Sequence, residues 1–172
     1  MRSVAVVLSF LAGVALPFTT AVAGPVPPEA GAPGRAQDVR RTVEIVMRDH
    51  SFEPQTVTVR PGETVRFRVV NRGQFLHEFN IGTPAMHEAH RREMQAMMDA
   101  GHLTATEAAP AHGRAHGGGS AMAHDDPNSV LLGPGKRGEV VWRFPQAGTL
   151  EIACNVPGHS ESGMVGSIQF SR

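Results

Sequence analysis

Near its C-terminal end the chain reads Cys154-Asn-Val-Pro-Gly-His159-Ser-Glu-Ser-Gly-Met164, and far upstream His77 stands in Phe75-Leu-His-Glu-Phe-Asn-Ile81. A thiolate, two imidazoles and a thioether form the donor set of a mononuclear copper electron-transfer site, with His₂Cys roughly trigonal and Met long and axial. Four residues separate Cys154 from His159 and four more separate His159 from Met164. Pro157, Gly158 and Gly163 suit the tight loop that would return all three to one metal. Cys154 is the single cysteine, so no intrachain disulfide can form. An inert buried cysteine is the plain alternative, and the neighbouring His and Met weigh against it.

Strands must position these donors. Val43, Ile45 and Met47 alternate with more polar neighbours, as do Val57 and Val59, and then Val65, Phe67 and Val69. Pro61-Gly62 and Asn71-Arg72-Gly73 break the runs. Val140, Trp142 and Phe144 follow the same period, then Leu150, Ile152 and Cys154, and finally Gly166, Ile168 and Phe170. Residues 39–82 and 129–172 therefore read as β, and together they predict a small antiparallel sandwich or barrel. Parity places His77 with Phe79 and Ile81, and Cys154 with Leu150 and Ile152, so both donors point inward.

The intervening segment 83–128 differs. It holds six of the nine His and five of the seven Met beyond Met1. Pro84 to Ala100 predicts a helix, with Thr83 as cap, Pro84 in the first turn and Gly101 as stop. On that helix Met86, Met97, His90, Met94, His87 and Met98 fall within about 120° of one another. Such a stripe either packs on the β domain or binds copper weakly, and Met86, His90, Met94 and Met97 are the candidates for an auxiliary copper site. Residues 108–128, with His112, His116, Met122 and His124, are expected to lack fixed structure. His50 reads as a surface loop residue.

Arg2, the apolar run Val4 to Leu16 and the Ala21-Val22-Ala23 triplet have the form of a secretory signal peptide, with cleavage expected after Ala23. Residues 24–38, rich in Pro, Gly and Ala, read as a flexible leader to a single domain spanning 39–172. The 16 basic residues balance the 16 acidic ones, which argues against a nucleic-acid partner. With no other membrane-length apolar segment, the product is expected to be an exported, periplasmic monomer that does not span a membrane.

The Cys154-x-x-Pro-Gly-His159-x₄-Met164 run, with His77 upstream, resembles the cupredoxins, small blue-copper proteins. That resemblance implies a Greek-key β-sandwich, one type 1 copper, His77, Cys154 and His159 as equatorial ligands and Met164 as the axial one. Many relatives place Asn or Ser directly after the first His, where this chain has Glu78, so the hydrogen bonding behind the ligands is left open. The His/Met-rich insertion resembles that of exported copper-tolerance cupredoxins of the CopI type. The implied function is copper binding in copper tolerance, with electron shuttling to a redox partner as the alternative. Catalysis is not expected: no His-x-His pair occurs, and the length allows one β domain.

Overall fold

The structure is a computed structural model and describes residues 26–108 and 126–171. Among these residues ten strands and one α-helix follow in chain order: β1 (Ala32–Pro33), β2 (Arg41–Arg48), β3 (Ser51–Glu53), β4 (Thr56–Val59), β5 (Thr64–Asn71), β6 (His77–Gly82), α1 (Pro84–Asp99), β7 (Ser129–Leu132), β8 (Arg137–Arg143), β9 (Leu150–Ala153) and β10 (Val165–Phe170). They form two five-stranded sheets, ordered β1-β8-β5-β2-β3 and β4-β10-β9-β6-β7. The result is the all-β sandwich expected, with α1 laid on the outside of the second sheet.

Alternation drives the two sheets together. In β5, Val65, Phe67 and Val69 are buried, while Arg66 reaches outward to Glu139 at 3.0 Å. Phe67 of the first sheet meets Phe79 of the second with ring centroids 5.2 Å apart, and Phe52 packs edge-on against Phe79 at 6.2 Å. Trp142, Phe144, Ile45, Met47 and Ile152 complete the interior. Burying each such side chain is worth about 1.5–3 kcal/mol.

Two features depart from the sequence-based expectation. The sandwich is not purely antiparallel, because β2 pairs with β5 in parallel and β4 with β10 in parallel. The chain leaves β2 through β3, crosses to the other sheet as β4, and returns as β5, so β5 must re-enter in the same direction. The expected flexible leader is also corrected where it is described. Pro28–Ala30 and Ala36–Asp38 form 3-10 turns, β1 pairs with β8, Ala30 is buried, and the Trp142 indole Nε1–H donates to the Ala30 carbonyl at 2.9 Å. Trp142 is a large interior side chain whose one polar atom needs an acceptor, and the leader supplies it.

The helix begins and ends as its sequence dictates. Thr83 Oγ1 accepts from the Met86 amide at 3.3 Å, and Pro84 occupies the first turn. Gly101, at φ +74°, lets the chain turn back with its N–H on the Met98 carbonyl. The chain beyond stays attached: Leu103 is buried, and the Leu76 amide donates to the Ala105 carbonyl at 2.7 Å. The expected signal peptide and the region 109–125, with His112, His116, Met122 and His124, lie outside the described residues. No helix among the described residues is long and apolar enough to cross a membrane.

Removing residues up to Pro33 is expected to destabilise the domain by about 1–3 kcal/mol, the cost of leaving a buried donor unpaired. Denaturant unfolding of the shortened and full mature chains checks this.

Candidate metal centre

At one end of the sandwich, His77, Cys154 and His159 converge. Cys154 Sγ lies 3.3 Å from His159 Nδ1 and 3.9 Å from His77 Nδ1, and the two Nδ1 atoms are 3.2 Å apart. A point in the plane of this triangle is about 2 Å from all three atoms, near the bonding distance of a first-row transition ion to N and S. The donor chemistry and the spacing both fit one copper ion.

Each donor is fixed by its own element. His77 opens β6, and the preceding loop is tied down by Asn71, whose Nδ2 donates to the Phe75 and Leu132 carbonyls and whose Oδ1 accepts from the Gly73 amide. His77 Nε2 donates to Asp49 Oδ1 at 2.9 Å, which leaves a lone pair on Nδ1 facing Cys154. Gly73 sits so close to this pair that a Cβ there would overlap Asp49 Oδ1 and His77 Nε2. Cys154 follows β9 and is fully buried, with its sulfur 3.3 Å from the Glu78 amide, which donates to it. The loop closes through Ser160 Oγ donating to the Cys154 carbonyl and the Met164 amide to the His159 carbonyl. The Cys154 amide donates to the Met164 carbonyl at 3.2 Å, so Met164, fully buried, is held beside Cys154 along the backbone.

Burial sets the protonation states. It pushes the Cys154 thiol up to about 12. It lowers His77 against the pull of Asp49, and lowers His159 with help from His77. At neutral pH the metal-free site thus holds two neutral imidazoles and a protonated thiol, and an incoming cation must displace the thiol proton.

Behind the donors lies a polar cluster around Glu78 whose partners the sequence left open. Glu78 is fully buried. Its Oε1 accepts from His90 Nε2 at 2.9 Å and from Asn80 Nδ2 at 3.2 Å, and its Oε2 accepts from the Asn155 amide at 3.2 Å and from Asn155 Nδ2 at 2.9 Å. Asn155 Nδ2 also faces His87 Nδ1 at 3.3 Å. Burial opposes charge on His90, yet Glu78, with Glu93 and Asp126, pushes it up to about 9. The sequence marked Glu78 only as an unusual residue directly after His77, and the structure buries it with Asn80 in β6.

The auxiliary copper site expected at Met86, His90, Met94 and Met97 is not what these residues build. Met94 is fully buried in the core, and Met86 and Met97 pack against it. The two nitrogens of His90 face carboxylates, Glu78 and Glu93, so the imidazolium has no lone pair for a metal. The stripe is the packing face of α1. His50, exposed in a left-handed turn after β2, is no part of the site.

Two measurements on metal-free protein test these assignments. Iodoacetamide at pH 8 should alkylate folded Cys154 at least about a hundredfold more slowly than the unfolded chain, since the buried thiol is not ionised. The folded-state value of His90 is raised, so its stabilising contribution is complete below about pH 6.5 and is lost as pH rises towards 9. Melting temperature should fall between pH 6.5 and 8.5 in wild type and stay flatter in His90→Gln. The depressed His77, His87 and His159 act on the other side, losing stability as pH drops below 6.5.

Residues 14–103 match the Cupredoxin-like domain family. The chain is 47% identical over 145 residues to the copper-resistant cuproprotein CopI of Pseudomonas aeruginosa, covering 80% of each chain. It is 44% identical over 139 residues to the protein of that name from Rubrivivax gelatinosus, covering 80% of this chain and 71% of that one. Among solved structures, auracyanin B superposes with a TM-score of 0.59 at 22% identity, over 83% of this chain and 97% of the other. Auracyanin A of Chloroflexus aurantiacus gives 0.51 at 25% identity, over 76% and 98%. The triangle of donors, the two-sheet fold and the extent of the sequence match lead to one conclusion: the chain belongs to the cupredoxin family, as a CopI-type member.

Proposed function

We propose that this chain is an exported, periplasmic copper protein of copper tolerance, which holds one type 1 copper through His77 Nδ1, Cys154 Sγ and His159 Nδ1, with Met164 as axial ligand. The observation that carries the reading is the triangle of two ring nitrogens and a sulfur sized for one transition ion. The names of the CopI relatives, copper-resistant cuproproteins, support the tolerance role.

Bound copper would supply a one-electron Cu(II)/Cu(I) couple. The protein's part is to keep its donors still. His77 is clamped by Asp49, and Cys154 by the Glu78 amide and the Met164 carbonyl at its own amide. Ligands held by a dense hydrogen-bonded frame move little when the charge on the metal changes. The thiol gives up its proton on binding, so uptake at neutral pH releases a proton. The proposed role is to bind copper and cycle its charge at this triangle, not to catalyse a reaction.

The electron-carrier reading keeps one observation of its own. Phe75 is the exposed large hydrophobic residue among those described, and its ring stands edge-on to His159 with centroids 6.5 Å apart. That places an apolar contact beside the imidazole through which an electron would leave.

Titrating the mature protein with Cu(II) should give an intense thiolate-to-copper visible band at one copper per chain, absent in Cys154→Ser. Deleting the gene should lower the copper concentration tolerated while respiration at trace copper stays intact. A growth defect at trace copper without loss of tolerance would instead select the carrier.

A further inference from the structure

We propose that Glu78 and His90 are a positioning pair that makes α1 a working part of the copper centre, fixing the sulfur ligand and tuning the copper couple from behind. The proposal rests on the copper reading of His77, Cys154 and His159.

Glu78 is joined to the centre twice. Its amide donates to Cys154 Sγ, and its carboxylate accepts both the backbone amide and the side-chain amide of Asn155, the residue that follows Cys154. It also follows His77 directly in β6. One residue therefore bridges the segments that carry two of the three equatorial donors. A carboxylate with no exposure costs several kcal/mol to bury unless a cation and hydrogen bonds compensate it. The compensating cation comes from the helix: His90 Nε2 is 2.9 Å from Glu78 Oε1.

A second strand of the same network runs from α1 to the ligand loop. His87 Nε2 donates to the Glu151 carbonyl, at 3.4 Å, which leaves Nδ1 as an acceptor for Asn155 Nδ2. With Glu78 and His87 both claiming Nδ2, the Asn155 side chain has one orientation, and its Oδ1 is buried without a partner. That orphaned oxygen shows which contacts decide the geometry. Helix and loop are locked through polar groups, in addition to the methionine packing.

Charge gives the pair a role that packing alone cannot supply. Of the two, Glu78 is the one bonded to the ligand loop, through its amide on Cys154 Sγ and its carboxylate on Asn155, and His90 reaches the loop through it. Removing the anion leaves the centre more positive and favours Cu(I). Removing the cation leaves the Glu78 carboxylate without its counter-ion at the base of the ligand loop and favours Cu(II). Outer partners of metal ligands commonly act in this way.

The test uses Glu78→Gln and His90→Gln in the copper-loaded mature protein, with Met94→Ala as a control that destabilises the same helix while keeping both Glu78 and His90. Each variant is compared with wild type by reduction potential and by the energy of the thiolate-to-copper band. In the metal-free protein, hydrogen exchange at the Asn155 amide provides a readout independent of copper. The expected result is a higher potential in Glu78→Gln, a lower one in His90→Gln, and faster Asn155 exchange in both, with the potential and band of Met94→Ala unchanged. Each pair variant is read alone, so either suffices if the other does not fold. The proposal is overturned if the pair variants keep the wild-type potential and band, or if all three variants shift alike. A wild-type protein with no thiolate-to-copper band would instead sink the copper reading itself.

Discussion

A negative charge sealed from water at the base of the ligand loop is the constraint around which this protein is arranged. Glu78 needs donors on both oxygens and a cation within contact distance, or the strand that carries His77 could not hold it there. The requirement explains why α1 lies where it does. It explains why His90 faces inward although histidine is a costly residue to bury, and why Asn155 rather than an apolar residue follows Cys154. The candidate metal donors are then held by a frame that is polar behind and apolar around, with Phe79, Ile81 and Ile152 filling the sandwich beneath.

This arrangement separates two kinds of rigidity. Aromatic packing between the sheets fixes where the strands lie, to the tolerance of van der Waals contact. Directional hydrogen bonds made by Asn71, Ser160 and the Glu78 amide, and accepted by Asp49, fix how the loops leave those strands. A coordination triangle needs the second kind, because a sulfur displaced by an ångström no longer shares a common point with the two imidazoles.

Much of this was legible in the residue order, and the reasons are local. The ligand run from Cys154 to Met164 is a short, spaced motif, and period-two alternation in residues 42–48, 64–69 and 140–144 marks strands with one buried face. Thr83, Pro84 and Gly101 marked the helix because caps act over three or four residues. What remained hidden depends on distant contacts. The parallel pairing of β2 with β5 follows from a sheet change that no local pattern encodes. The leader was misread because its composition suits a linker, whereas its Ala30 carbonyl answers an indole 112 positions away. The methionine stripe was ambiguous between metal and core because the same atoms serve both, and only burial decides. Glu78 stood out only by its place directly after His77, with its partners left open, and Asp49 carried no signal of its role, since an acidic residue beside a turn is ordinarily a solvated one.

The pairing of β1 with β8 has a consequence beyond the interior. A strand at the margin of a sheet offers unmet amide and carbonyl groups to any other chain of similar conformation, which is how fibrils begin. Here β1 covers only Trp142 and Arg143 of β8, and Pro33, opposite Trp142, has no amide hydrogen to give. At that end of β8 the margin is capped by a residue that cannot continue the ladder outward.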